Sequence, residues 1–395
     1  MPDKKLSHTF LLPELKLTNS YKAGVATFLI HAEKVSKFEV CPKCATPSSK
    51  VHDRRTVKIK DAPIRGKLNY LVIVKRRFRC PGCKSVFTEP VQGITKGGRL
   101  TQRFYRSVYW SCENFQDLKR VKKAHRCGYK TIYKCYYTQL RRKQKEREKN
   151  PWPKTIGIDE HGFSKDKRRG ARNFATLIVD YKNKRPKEVV EGKSHQKLIA
   201  GLNYIPGREN VTNVVIDLAD SYKSFVTKFF PNAKIVADKF HVLRLITPAL
   251  NSKRIEVTGD VRTHKMRKLL LRNRPKLHFE DRIDLDHWLK KNPEAKDLYW
   301  AKEKLHTVYR CRGHNKAKMS LEALVRWLEP KRIKALQRLR RTLIKWQEEI
   351  LRYFSTGLTN ARTEAFNNNA KLVQKRAYGF KSFENYRLKV LNGFG

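Results

Sequence analysis

Four of the eight cysteines in this 395-residue chain fall in two Cys-x-x-Cys pairs, Cys41-Pro-Lys-Cys44 and Cys80-Pro-Gly-Cys83. Two such knuckles, each at the end of a hairpin, offer four soft thiolates to one tetrahedral zinc ion, the makeup of a structural zinc ribbon. The other cysteines, Cys112, Cys127, Cys135 and Cys311, have no paired spacing and read as small packing residues. Cysteine is too sparse overall for a disulfide scaffold, so metal binding is the expected use of the paired ones.

A second constellation is acidic. Asp159 follows Ile156 and Ile158, and Asp217 follows Val214-Val215-Ile216, so each is expected where a buried strand ends. Neighbouring parallel strands would bring both to one rim of a sheet, the place where ligands bind. Glu364 lies in the first turn of a helix that opens with an asparagine cap, Asn360, where the helix dipole favours an ionised carboxylate. Three convergent carboxylates need cations, and hard oxygen ligands suit Mg2+ or Mn2+. Two such ions, about 4 Å apart, activate a water or a DNA 3′-hydroxyl and stabilise the leaving oxygen of an in-line phosphoryl displacement. None of the three is specific alone, because a strand-end aspartate is also an ordinary turn or cap residue.

The elements that must position these groups are legible in outline. Strand-like stretches around Thr56–Ile59 and Tyr70–Val74, joined through Pro63 and Gly66, separate the two cysteine pairs. Residues 100–147 are helical by spacing: Phe104, Val108, Phe115, Leu118 and Val121 form one stripe. A glycine turn at Arg126-Cys-Gly128 follows, and a second, basic helix begins at Thr131. That is the pattern of a helix-turn-helix, whose second helix would present Lys130, Thr131, Tyr133, Lys134, Arg141 and Arg142 to DNA. Asn150-Pro-Trp-Pro153 marks a boundary. Strands at 155–158, 173–179 and 188–191, a helix from His195, a strand at 211–216, a helix from Tyr222 and a strand at 234–237 then follow in the order of a ribonuclease-H-like α/β core. From His241 to about Phe354 only helical periodicity remains, and Trp288, Trp300, Trp327 and Trp346 read as core residues of that region. The expected fold class is therefore multidomain α/β. Its parts are a zinc ribbon (1–98), a helix-turn-helix (99–150), a ribonuclease-H-like catalytic domain (151–241 and 356–395) and an all-helical insertion (242–355).

Charge narrows the partner. Lys and Arg number 89 against 36 acids, a net +53, and charged residues are 32% of the chain. Such self-repulsion is tolerable beside a polyanion, and nucleic acid is the obvious one. With 39% hydrophobic residues the chain can still build cores, which excludes a disordered basic tail. No apolar run reaches the roughly 18 residues of a membrane helix. The run Thr9-Phe10-Leu11-Leu12 before Pro13 is too short for a signal-peptide core, so a cytoplasmic protein is expected.

Together these motifs resemble those of bacterial insertion-sequence transposases of the ISL3 family, which are of the DDE type. The matching pieces are the double Cys-x-x-Cys, Ile156-Gly-Ile-Asp159-Glu160, Val215-Ile-Asp217 with Tyr222, and Val236-Ala-Asp238-Lys-Phe-His241-Val242. The ending Glu364-Ala-Phe-Asn-Asn-Asn-Ala-Lys371, Tyr378-Gly-Phe380 and Phe383-Glu-Asn-Tyr-Arg387 completes them, so the match spans 41 to about 392. The resemblance implies binding to the terminal inverted repeats of the chain's own mobile element, and cutting and joining of DNA there by Asp159, Asp217 and Glu364. It implies Mg2+ or Mn2+ at those carboxylates, structural Zn2+, target DNA as a second partner, and a homodimer or larger oligomer on DNA. Lys371, Lys375 and Arg376 on the last motif would add phosphate contacts. Asp238 is the rival for second aspartate, and Asp238-x-x-His241 is expected to support the metal ligands from behind or to position DNA, a plain structural histidine being the alternative. The family often has Gly or Pro just before the glutamate, where Ala361-Arg-Thr363 stands here. Two other readings are a transposase-derived DNA-binding regulator without catalysis and a structure-specific DNA nuclease.

Overall fold

Apolar residues at a period of two in the strands, and near 3.6 in the helices, set the elements. The computed structural model describes residues 11–114, 117–165, 172–262 and 265–393. They divide into two units, Met1–Lys143 and Gln144–Gly395. Thr9, Phe10 and Phe115 lie outside the described residues.

The first unit opens with β1 (Leu15–Lys22), β2 (Thr27–Lys34), the short β3 (Glu39–Val40) and β4 (Pro47–Ser48), then β5 (Val51–Ile64), β6 (Lys67–Arg79) and β7 (Val86–Thr88). The main sheet runs β1-β2-β6-β5, with β7 on β6. The long β5–β6 hairpin closes through Arg65 and Gly66, both at positive φ (50° and 73°), the backbone a two-residue turn needs to match strand twist. Alternate residues Ile59, Leu71 and Ile73 bury one face of this sheet against Leu11, Leu12, Leu15 and Val91. Three helices follow: α1 (Gln102–Asn114), α2 (Leu118–His125) and α3 (Tyr129–Glu148). Phe104, Val108, Val121, Ile132 and Cys135 form their core, with Cys112 and Cys127 packed beside it. The single helix expected before the turn is broken, because the Asp117 carboxylate accepts the Lys119 N–H (2.8 Å) and starts a new one. The left-handed residue of the following turn is Arg126 (φ 40°), not Gly128.

In the second unit β8 (Thr155–Lys165), β9 (Arg172–Asp180) and β10 (Arg185–Glu191) form an antiparallel meander. They are followed by α4 (His195–Leu202), β11 (Asn213–Ile216), α5 (Asp220–Phe229) and β12 (Lys234–Ala237). The sheet order is β10-β9-β8-β11-β12, and β11 pairs parallel with both β8 and β12. Helices complete the chain: α6 (Lys239–Arg244), α7 (Thr247–Thr258), α8 (Lys265–Leu271), α9 (Phe279–Lys291), α10 (Pro293–Val308), α11 (His314–Leu328), α12 (Lys334–Lys345), α13 (Gln347–Thr356), α14 (Ala361–Arg376) and α15 (Phe383–Asn392). Strand alternation sorts the two faces. Ile156, Ile158, Val214, Ile216 and Ile235 point into one core with α4, α5 and the helices of 242–355, so that helical region shares its core with the sheet. Trp346 is buried in that core, and Trp288, Trp300 and Trp327 pack against it. Leu177, Val179, Val215 and Val236 point the other way, beneath Ala370 of α14 and Tyr386, Val390 and Leu391 of α15. Among the described residues no helix is long and apolar enough to cross a membrane.

One expectation needs correction. Asp159 does not end its strand, since β8 continues to Lys165; it is β11 and β12 that stop, just before Asp217 and Asp238. Alternation puts Asp159 on the face covered by α14, beside Gly157. A Cβ at Gly157 would lie 2.0 Å from the Thr363 hydroxyl and 2.7 Å from the Tyr181 ring, so α14 crosses β8 in near contact. Gly157→Ala is therefore expected to destabilise the protein by about 1–3 kcal/mol, by overpacking this crossing. Denaturant melts of the full chain check this.

Candidate active site and metal centre

The zinc knuckles are built alike. Ala45 and Lys84, each just after the second cysteine of a pair, have positive φ (58° and 60°). Each also donates its N–H to the carbonyl of the first cysteine, at 2.9 and 3.1 Å. All eight cysteines are free of disulfides. The sulfurs of Cys41, Cys44, Cys80 and Cys83 lie within 4.8 Å of one another, with Cys41 to Cys83 at 3.6 Å and Cys44 to Cys80 at 3.4 Å. A zinc ion with bonds of about 2.3 Å sets its sulfurs roughly 3.8 Å apart, so the donor set fits. Side-chain and backbone hydrogen bonds with Thr46 hold the Cys44 thiol down to about 6, which favours the thiolate a metal needs. Phe78 and Phe87 pack with Cys41 and Cys80 and would shield a bound ion on its inner side.

The carboxylates gather at the rim where β11 and β12 end. Val215 pairs with Gly157, so the next residues bring Asp217 beside Asp159. Burial pushes the Asp159 carboxyl up to about 6, and the neighbouring Asp217 charge adds to the shift. Two groups answer that repulsion. Asn367 donates its amide to Asp159 Oδ2 (2.6 Å), and Asn360 donates its own to Asp217 Oδ1 (3.3 Å). His241 Nδ1 stands 2.9 Å from Asp217 and 3.0 Å from Asp238. Hydrogen bonds to Asp217 and Asp238 raise the imidazole to about 10, so it is a cation at neutral pH.

Asp238, the rival second aspartate, is buried and already engaged. Its Oδ1 accepts the Asn360 backbone N–H (2.9 Å). Its Oδ2 accepts both the His241 N–H and the imidazole (3.2 and 3.0 Å). Burial alone would push its carboxyl up, but these bonds hold it below the usual range. Asp217, Asp238 and His241 lie close enough to share a metal, yet among the described residues only Asp217 keeps a carboxylate oxygen without a protein partner.

Glu364 occupies the first turn of α14, exposed, on the helical face between Asn360 and Asn367, which touch Asp217 and Asp159. The expected side-chain cap at Asn360 is absent: its amide serves Asp217 instead. Sequence reading also passed over what holds Asn367. His161, kept neutral by burial, donates from Nδ1 to Asn367 Oδ1 (2.6 Å) and accepts the Tyr386 O–H at Nε2. That fixes which end of the amide faces Asp159. The signal was available, as His161 alternates with Asp159 along β8 and Asn367 lies one turn after Glu364. Of the expected DNA contacts, Lys130, Tyr133, Lys134, Arg141, Arg142, Lys371, Lys375 and Arg376 are exposed and Thr131 is half-buried.

A zinc ribbon in one unit and a carboxylate-rimmed mixed sheet in the other are the makeup of a transposase. The comparisons make the class particular. A family described as transposase, of the ISL3 type, matches residues 156–390, and one described as the zinc-finger of transposases of IS204, IS1001, IS1096 and IS1165 matches residues 37–83. The chain belongs to the ISL3 transposase family. It is similar to the transposase for insertion sequence element IS1001 of Bordetella parapertussis, 23% identical over 381 residues that cover 93% of this chain and 92% of the relative. It also resembles the transposase for IS1557 of Mycobacterium tuberculosis, 26% identical over 260 residues, 58% of this chain and 57% of the relative.

Two outcomes are expected. Purified protein should carry about one zinc per chain, lost in Cys44→Ser and in Cys83→Ser by metal analysis. In metal-free protein the Asp159 carboxyl should titrate near 6 and move higher in Asn367→Ala, because the amide stabilises only the ionised form. Carboxyl NMR on labelled aspartate reads both midpoints.

Proposed function

We propose that this chain is a catalytically competent DDE transposase that binds the terminal inverted repeats of its own element and cleaves and joins DNA strands there. The observation that carries this reading is the parallel pairing of β8 with β11, which sets Asp159 beside Asp217 while α14 crosses both with Glu364 in its first turn. The sheet order, three antiparallel strands followed by two parallel ones, supports a ribonuclease-H-like core. The α2–α3 pair supports a helix-turn-helix that, with the zinc ribbon, recognises element ends.

Asp159, Asp217 and Glu364 are the residues that would hold Mg2+ or Mn2+. Bound there, two such ions would activate the attacking oxygen and neutralise the leaving one. The protein's own part is positional. Asn367 and Asn360 aim the two aspartates, and Asp238 ties the start of α6 to the start of α14. His241 supplies positive charge beside Asp217. Lys and Arg on phosphates give affinity, and α3 in the major groove gives base readout. Assembly of two or more copies on paired ends belongs to the same proposal.

Asp159→Asn, Asp217→Asn and Glu364→Gln are expected to cut cleavage of element-end DNA by several orders of magnitude while binding survives, as each removes a hard ligand and no phosphate contact. Asp238→Asn should cost about 10- to 100-fold, the usual effect of disturbing a group that orients a ligand. Gel assays on intact and pre-nicked terminal-repeat duplexes measure these losses. A dead Asp238→Asn with an active Asp217→Asn would make Asp238 the ligand. Cutting of branched DNA irrespective of terminal sequence would make the enzyme a structure-specific nuclease.

A further inference from the structure

Helix α14 ends in a two-bond turn: Tyr378 donates its N–H to the Lys375 carbonyl (3.1 Å) and Gly379 to the Gln374 carbonyl (2.9 Å). The residue after the cap in such a turn takes left-handed backbone, which glycine adopts freely and an L side chain resists. Helices α7 and α13 place glycine there, Gly259 (φ 65°) and Gly357 (φ 67°), whereas α2 ends in left-handed Arg126 (φ 40°). At α14 that position holds Tyr378 (φ 52°), and Gly379 after it is also at positive φ (95°). Nothing in the fold offsets that strain, since the Tyr378 side chain is fully exposed, at 101%. The loop is nonetheless rooted, for Phe380 packs its ring 5.4 Å from that of Tyr386. Near the tyrosine in sequence stand Lys375, Arg376 and Lys381, all exposed and none in an ion pair among the described residues. The helix dipole accounts for cations at 375 and 376 but not for Lys381, which lies beyond the helix.

An exposed aromatic ring on a rooted turn, flanked in sequence by exposed cations, matches the surface that stacks on a nucleic-acid base while neutralising the flanking phosphates. We propose that Tyr378 is a stacking finger that inserts against a base of the bound DNA, with Lys375, Arg376 and Lys381 on the neighbouring phosphates. This rests on the proposed function, in which DNA lies across the carboxylates. The helix supplies the ruler: fourteen residues separate Glu364 from Tyr378, about 20 Å at 1.5 Å per residue. At about 3.4 Å per base pair, the finger meets the DNA roughly six base pairs from the phosphate at the carboxylates. In a duplex that contact requires partial unstacking of one base step, as wedging side chains do.

The test uses the full-length protein and terminal-repeat duplexes carrying 2-aminopurine at single positions roughly four to eight base pairs from the cleavage site. Wild-type protein should change the fluorescence at one of these positions. Tyr378→Phe should keep that signal, and Tyr378→Gly should lose it and bind roughly 5- to 100-fold more weakly. The same glycine variant should melt at an unchanged or higher temperature, because glycine relieves the left-handed backbone. This pairing of greater stability with weaker binding is the result a merely structural tyrosine does not give. A glycine variant that binds and cleaves like wild type, or one that melts distinctly lower, overturns the finger and leaves the proposed function standing. A wild-type protein that neither binds nor cuts these duplexes overturns both.

Discussion

Asp159 and Asp217 sit side by side on neighbouring parallel strands, and their mutual repulsion is the constraint that the surrounding structure answers. Burial pushes the Asp159 carboxyl up to about 6, and the charge of Asp217 adds to the shift. Three neighbours supply a proton donor or a positive charge. Asn367 and Asn360 donate from α14, and His241 places an imidazolium between Asp217 and Asp238. The same contacts dock the helix. The Asn360 backbone N–H on Asp238 and Arg362 on the Tyr181 carbonyl add to that docking.

That docking tolerates little error, and the local sequence shows how error is kept out. Gly157 lets α14 approach β8 closely enough for Thr363 to lie over it. Tyr181 donates to the Thr359 carbonyl (2.8 Å) and pins the entry to the helix. Asn367 is held by His161, and His161 by Tyr386, so the amide that faces Asp159 is fixed by residues from β8 and α15. Buried polar networks of this kind are costly when half-satisfied and rigid when complete. Here the network is complete along its length, and its rigidity keeps the Asn367 amide on Asp159.

The first unit solves a different problem by local means. Its sulfurs meet because each Cys-x-x-Cys folds on itself through a left-handed residue and a long hairpin brings the two knuckles to the same end. Its helices are set by an aspartate cap and a short turn. Across the whole chain 36 acids cannot balance 89 Lys and Arg, and the net +53 leaves a strongly basic surface, suited to polyanions.

Features governed by near neighbours were legible in the sequence. The cysteine pairs, the β5–β6 hairpin, the run of strands and helices from 155 to 237, and the helical stretch after His241 follow from spacing, turn residues and periodicity. So did the placing of Asp217 and Asp238 just after strands, though not that of Asp159. What the sequence did not determine depends on register and on partners some two hundred residues away. Whether Asp159 ends a strand or lies within one depends on how far β9 pairs with it. Whether Asn360 caps its helix or reaches Asp217 depends on how α14 docks. The standing of Asp217 over Asp238 depends on whose oxygens are taken: both aspartates follow an apolar strand and look alike in one dimension. Only the packed structure spends Asp238 on the Asn360 and His241 N–H groups and leaves Asp217 an oxygen to offer, because hydrogen bonds are allotted by proximity in space and not along the chain.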